Sequence, residues 1–170
     1  MTHQISRRAV FIGAIAAPFA GATGAGAREI VPGVGYRPGT VIVSMSQRKL
    51  YFVLPDGNAI RYPVAVGKPG KQWFGQRMID GKHVRPAWSP PAEVKRDNPH
   101  LPDVIAGGAR NNPMGERALT IAPGQYAIHG TNVPSSIGTY ASYGCVRMHN
   151  ADIVDLFERV AVGAPIVVVR

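Results

Sequence analysis

Residues 40–66 read TVIVSMSQRKLYFVLPDGNAIRYPVAV, and their patterning sets the fold class. Thr40 to Ser46 is rich in β-branched residues and strand-like. From Lys49 to Leu54, residues Leu50, Phe52 and Leu54 fall on one face. From Ala59 to Val66, Ile60, Tyr62, Val64 and Val66 recur at period two. Between these runs lies Pro55-Asp56-Gly57-Asn58, where proline presets φ and glycine supplies the positive φ of a tight turn. Three short strands joined by tight turns make an antiparallel meander. The 20 glycines and 15 prolines among 170 residues point the same way, to a β-rich domain rather than a helical bundle. With 45% hydrophobic and 17% charged residues the chain is globular rather than disordered, and its length suits one domain.

Upstream of the meander the chain changes character. Met1 to Arg8 ends in a basic pair, Ala9 to Ala20 is apolar but too short to span a bilayer, and Ala25-Gly26-Ala27 is a small-x-small cleavage pattern. Residues 1–27 therefore read as a secretory signal peptide. Ser6-Arg7-Arg8 with Phe11 shortly after resembles a twin-arginine signal, although Phe11 sits one place late. Residues 28–38 read as a leader into a domain spanning 39–170. Loss of Arg7 and Arg8 takes the net charge from +9 to +7. A basic exported protein, in periplasm or cell envelope, is drawn to anionic surfaces. Export sets nucleic acid aside as a partner, and no run of five basic residues exists.

Downstream, residues 67–124 are punctuated by glycine and proline and read as long binding loops or lids. Gln125 to Ile128 reads as a strand running into His129. A helix is expected near 151–161: Asn150 can cap it, Asp152 and Asp155 favour its positive end, and Ile153, Leu156, Phe157 and Val160 form one stripe. Gly163 can end it and Pro165 prevents its continuation. Ile166 to Val169 reads as a buried strand. No metal-ligand spacing stands out, and the mature chain carries no transmembrane segment.

Cys145 is the single cysteine, so it cannot staple its own chain. It is a small buried residue, an intermolecular link or a reactive thiol. Its surroundings, residues 129–150 (HGTNVPSSIGTYASYGCVRMHN), bear on that choice. A cysteine preceded by Gly144 sits where the backbone can turn sharply and aim successive N–H groups at one point, the way an oxyanion hole is built. A thiol is mostly protonated at neutral pH, so it needs a base beside it. His129 ends a strand, and the loop after it holds Gly130, Pro134 and Gly138. Cys and His together are the minimum pair for nucleophilic catalysis.

The stretch resembles the L,D-transpeptidase catalytic (YkuD-like) domain. That family's pattern is a His-Gly-Thr-like strand end, a loop, then Ser/Thr-x-Gly-Cys-(Val/Ile)-Arg-(Met/Leu)-x-Asn. Here the pieces are His129-Gly130-Thr131-Asn132, then Ile137-Gly138, then Ser142-Tyr143-Gly144-Cys145-Val146-Arg147-Met148-His149-Asn150. Tyr62-Pro63-Val64-Ala65-Val66-Gly67 resembles the family's central strand, and Pro86–Pro91 and Asn112–Gly115 its cleft-lining segments. The resemblance covers nearly all of 39–169 and implies a β-sandwich-like fold with a small C-terminal helix.

The resemblance also implies roles. Cys145 is the nucleophile and His129 its base. The backbone N–H groups of Tyr143, Gly144 and Cys145 form the oxyanion hole. The Gly130 carbonyl or the Ser142 hydroxyl orients the His129 ring. Arg147 holds a substrate carboxylate or braces the site, and Trp88 and Tyr143 line the substrate cleft. The partner is the peptidoglycan stem peptide, cleaved after its third residue with release of D-alanine. The acyl acceptor is a stem amine, giving a 3–3 crosslink, or a lysine of an envelope lipoprotein or outer-membrane protein. With water as acceptor the activity is that of an L,D-carboxypeptidase, and without a thiolate the domain is a peptidoglycan-binding module. No cofactor is implied. One departure stands out: many members place His where this chain has Tyr143. His149, just past Cys145, reads as a surface or supporting histidine, because a base needs hydrogen-bond reach rather than nearness in sequence.

Overall fold

The computed structural model describes residues 28–33 and 35–170; the expected signal segment, 1–27, lies outside the described residues. The meander is present. Strand β1 (Glu29–Val31) is followed by β2 (Val41–Ser44), β3 (Lys49–Val53) and β4 (Ala59–Pro63), and β2–β3 and β3–β4 pair antiparallel. The turn after β3 closes as the sequence requires: Gly57 has φ of 84° and its N–H donates to the Leu54 carbonyl at 3.0 Å. The expected leader is more than a leader, because β1 pairs antiparallel with β4 and sets Glu29 opposite Arg61 as an ion pair. Val66, read as continuing β4, instead belongs to β5 (Val66–Gly67).

The largest departure from expectation is in residues 67–124. They hold β6 (Gly75–Val84), the short helix α1 (Ala92–Asp97) and β7 (Arg117–Ala122). Strand β6 was hidden because one face is largely exposed and only Ile79 is buried on the other, so it carries no apolar alternation. Its pairing is backbone-driven, antiparallel to β7 on one side and to the last strand on the other. Then come β8 (Tyr126–His129), a 3₁₀ turn (Pro134–Ser136), β9 (Tyr140–Ser142), β10 (Val146–Arg147), helix α2 (Asn150–Arg159) and β11 (Pro165–Val169).

Among the described residues nine strands form one sheet in the order β1-β4-β3-β2-β11-β6-β7-β8-β10, and β5 pairs with β9 apart from it. In a flat sheet β4 and β10 would stand seven strand spacings, about 34 Å, apart. Yet Ala65, two residues past β4, exchanges both backbone hydrogen bonds with Arg147 of β10, at 2.9 and 2.8 Å. The sheet therefore curls until its ends meet, and the two layers of the expected sandwich are halves of one sheet. The core between them joins Val41, Leu50 and Tyr62 of one half to Leu119, Ile128 and Val146 of the other.

Helix α2 closes one side of that core with Ile153, Leu156 and Phe157 buried. Its capping differs from expectation. His149 is the cap residue, and no side chain caps the helix. Asn150 is the first helical residue, and its amide is spent elsewhere, as described below. Helix α2 ends at Arg159, so Gly163 serves the turn into β11, donating to the Ile79 carbonyl at 2.8 Å.

Candidate active site

Strand register builds the reactive face. Strands β8 and β10 run parallel, with Arg147 beside His129 and Val146 beside Ile128. Side chains alternate across a sheet. Ile128, Val146 and Met148 therefore go to the core, where each is fully buried. His129, Arg147 and, two residues earlier, Cys145 go to the other face. There they line a cleft of about 1030 Å³ together with Trp88, Ser142 and Tyr143. So the residues singled out in the sequence as nucleophile, base and substrate contacts line one cavity. His149 is not on the lining.

His129 is nearly fully buried, and its Nδ1 lies 2.7 Å from the Gly130 carbonyl oxygen. A carbonyl only accepts, so Nδ1 carries the hydrogen and Nε2 is bare. Of the two orienting groups expected, the structure places Gly130 at the ring. Ser142 is committed to the Gly144–Cys145 turn: its hydroxyl donates to the Cys145 carbonyl at 2.5 Å and accepts the Gly144 N–H at 3.1 Å. The Gly144 N–H is thus engaged, while those of Tyr143 and Cys145 have no partner among the described residues.

Burial first, and the Arg147 charge second, lower the His129 pKa to about 4 against the opposing pull of the Gly130 and Pro113 carbonyls. Burial raises the Cys145 thiol, with backbone at Ala127 and the Arg147 charge acting the other way. At rest the thiol and the imidazole on this cleft are therefore both neutral, not an ion pair. Burial also lowers the Arg147 pKa. No carboxylate lies within ion-pair distance of Arg147 among the described residues. A half-buried, unpaired guanidinium on a cleft wall is suited to an incoming carboxylate.

Tyr143 makes its side-chain contacts with α1 and Lys68 rather than a hydrogen bond to His129. Its hydroxyl donates to Asp97 of α1 at 2.9 Å, and the Lys68 ammonium lies 4.2 Å from its ring centre. Helix α1 thereby becomes a rim over the cleft, tied also by the Lys71–Glu93 ion pair.

Two supporting residues escaped the sequence reading. Asn150 was taken for a helix cap. Its Oδ1 instead accepts the N–H groups of Glu116 (3.2 Å) and Thr131 (3.1 Å), and its Nδ2 donates to the Thr131 carbonyl. It thus pins the segment that follows His129. A Cβ on Gly130 would sit 2.1 Å from that Oδ1, so the slot requires glycine. Asn112 is buried and holds the cleft loop together, donating to the Pro86 and Ala106 carbonyls at 2.9 Å and accepting from Met114. The signal for both was a polar residue within a quoted motif; what each binds was not encoded locally.

Comparison with known proteins agrees in kind. The family model described as the L,D-transpeptidase catalytic domain matches residues 38–168. The chain is 39% identical over 133 residues to the probable L,D-transpeptidase YbiS of Escherichia coli (strain K12), covering 74% of this chain and 42% of that protein. It is 33% identical over 138 residues to the probable L,D-transpeptidase ErfK/SrfK of the same strain, covering 76% of this chain and 43% of that one. The chain thus spans less than half the length of these two relatives. Its fold is like that of the catalytic domain of an Enterococcus faecium L,D-transpeptidase acylated by ertapenem, with a TM-score of 0.60 at 15% identity. That match covers 79% of this chain and all of the other.

Proposed function

Because the chain belongs to the L,D-transpeptidase catalytic-domain family, we propose that it is a cysteine acyltransferase acting on peptidoglycan stem peptides in the cell envelope. The observation that carries this reading is the shared wall of β8 and β10, on which Cys145, His129 and Arg147 face one cleft. The +7 charge of the chain after residue 27 suits a carboxylate-rich polymer.

In the first half-reaction the Cys145 sulfur attacks the carbonyl that follows the third stem residue. With both groups neutral at rest, the thiol proton passes to the bare Nε2 of His129 as the S–C bond forms. The Gly130 carbonyl, holding Nδ1–H, stabilises the resulting imidazolium. The carbonyl oxygen becomes an oxyanion and is received by the free N–H groups of Cys145 and Tyr143. Gly144 belongs to the hole as the hinge of the turn, since its own N–H is held by Ser142. Collapse expels the D-alanine amine, which takes the proton from His129. In the second half-reaction an acceptor amine attacks the thioester, loses its proton to His129, and the thiol is restored. Arg147 anchors a stem carboxylate, and Trp88 and Tyr143 supply the apolar walls.

Purified protein incubated with disaccharide-tetrapeptide tests the reading by mass spectrometry. A crosslinked dimer with released D-alanine supports transpeptidation. Tripeptide alone makes the enzyme an L,D-carboxypeptidase. Unchanged substrate leaves only a binding module. The envelope assignment is checked by N-terminal sequencing of the cell-envelope fraction, with a chain starting at Arg28 expected.

A further inference from the structure

Trp73 lies between β5 and β6, far from the catalytic motif in sequence, yet only 6% of it is exposed. Its indole Nε1–H donates to the Gly144 carbonyl at 3.1 Å. The ring stacks on Tyr126 with centroids 5.4 Å apart, and the Arg77 guanidinium lies 4.5 Å from the Trp73 ring centre and 4.8 Å from that of Tyr126. The nucleophile turn is seated on this stack: a Cβ on Gly144, where φ is 122°, would sit 2.5 Å from the Tyr126 ring.

The Gly144 carbonyl and the Cys145 N–H belong to one trans peptide plane and point in opposite directions. The indole holds the carbonyl on the core side, so the N–H is aimed to the cleft side, where Cys145 lies. Ser142 fixes the planes before and after this one through the Gly144 N–H and the Cys145 carbonyl. The middle plane has, among the described residues, only Trp73. Gly144 has no Cβ to resist its rotation, and without the indole its buried carbonyl loses its partner.

We propose that Trp73 is a positioning residue for the oxyanion hole: its indole N–H, acting through the Gly144 carbonyl, holds the Cys145 N–H in the direction that receives the oxyanion. This rests on the reading of Cys145 as the acyl-transfer nucleophile.

Trp73→Phe keeps an aromatic ring against both Tyr126 and Arg77 and deletes the N–H. Two reactions at Cys145 are compared in purified wild type and variant: acylation by imipenem, which forms an oxyanion, and alkylation by iodoacetamide, which displaces iodide and forms none. Acylation is expected to slow about ten- to a hundredfold. Alkylation should stay within about twofold, with an unshifted pH profile, because an oxyanion donor does not act in it. Equal slowing of both reactions, or acylation unchanged in a folded variant, overturns the proposal while leaving the nucleophile reading intact. A wild type that neither forms a Cys145 adduct with imipenem nor turns over tetrapeptide overturns the nucleophile reading and this proposal with it. If Trp73→Phe does not fold, 3-benzothienylalanine at position 73, which replaces the N–H by sulfur in a ring of the same shape, carries the same comparison.

Discussion

The two walls of the cleft are built in different ways. One is sheet: His129, Cys145 and Arg147 are placed by the β8–β10 register, backed by the core residues Ile128, Val146 and Met148. The other is rim: α1 buries none of its residues and is held by polar contacts such as Lys71–Glu93, Tyr143–Asp97 and Lys95–Asp103. A register cannot drift without moving a whole strand to the wrong face. An exposed ion pair contributes little, typically under about 1 kcal/mol. The contrast separates two kinds of placement: His129, Cys145 and Arg147 are set by strand register, while the opposite side of the cleft is held by exposed polar contacts.

If that division holds, changes on the sheet wall should be severe and changes on the rim mild. The severest is Cys145→Ala, which should abolish release of D-alanine while leaving the thermal midpoint nearly unchanged, because the turn keeps its shape. Intact-mass analysis after imipenem should show one adduct on wild type and none on the variant. An adduct that survives in the variant would break the comparison by moving the nucleophile elsewhere.

Next is the base. His129→Ala should slow acylation on the order of a hundredfold or more, since it removes general-base assistance. His149→Ala, at the N-terminus of α2 and away from the cleft lining, should leave the rate within about twofold. Single-turnover acylation rates check both. Equal losses from the two would show that the helix end, not the strand end, supplies the base.

The same division governs what could be read in advance. The meander and α2 were legible because each buries one face, and burial writes a period into the sequence. The turn at Gly144-Cys145 was legible because its backbone demand for glycine is local. Strand β6 was not, since its order comes from partners on both edges rather than from its own exposed side chains. Nor was the service of Asn150, which as a residue type caps helices well. Its actual partners, Glu116 and Thr131, are brought to it only by the pairing of β7, β8 and β10. Trp73 is the plainest case: nothing near it in sequence announces a bond to Gly144.

A comparable effect on stability follows from the buried base. Folded His129 titrates at about 4, against about 6.5 in the unfolded chain, so only the unfolded chain takes up that proton as pH falls between these values. The histidine's share of stability is therefore whole above about pH 6.5 and lost on the way to pH 4, by about 3 kcal/mol. Urea unfolding at pH 7 and pH 4.5 should show a larger drop for wild type than for His129→Gln. Equal drops would mean that the sheet wall is wetter than its burial indicates.

The smallest expected effect is on the rim. Tyr143→Phe removes the hydroxyl that donates to Asp97 and keeps the ring beside Lys68 and the backbone N–H of residue 143. The bond lost is solvent-exposed, so its net worth is about 1 kcal/mol or less. What it does is hold α1 near the nucleophile turn. Loosening that rim should raise KM for the tetrapeptide by less than about fivefold, the equivalent of that bond energy, and leave kcat near its wild-type value. Asp97→Asn, which weakens the same contact from the other side, should give the same split, and the double variant should add nothing further. A fall in kcat of tenfold or more on Tyr143→Phe would place the phenol in the chemistry itself. The tyrosine would then do more than line the cleft, and the boundary between sheet and rim would have to be drawn one residue further out.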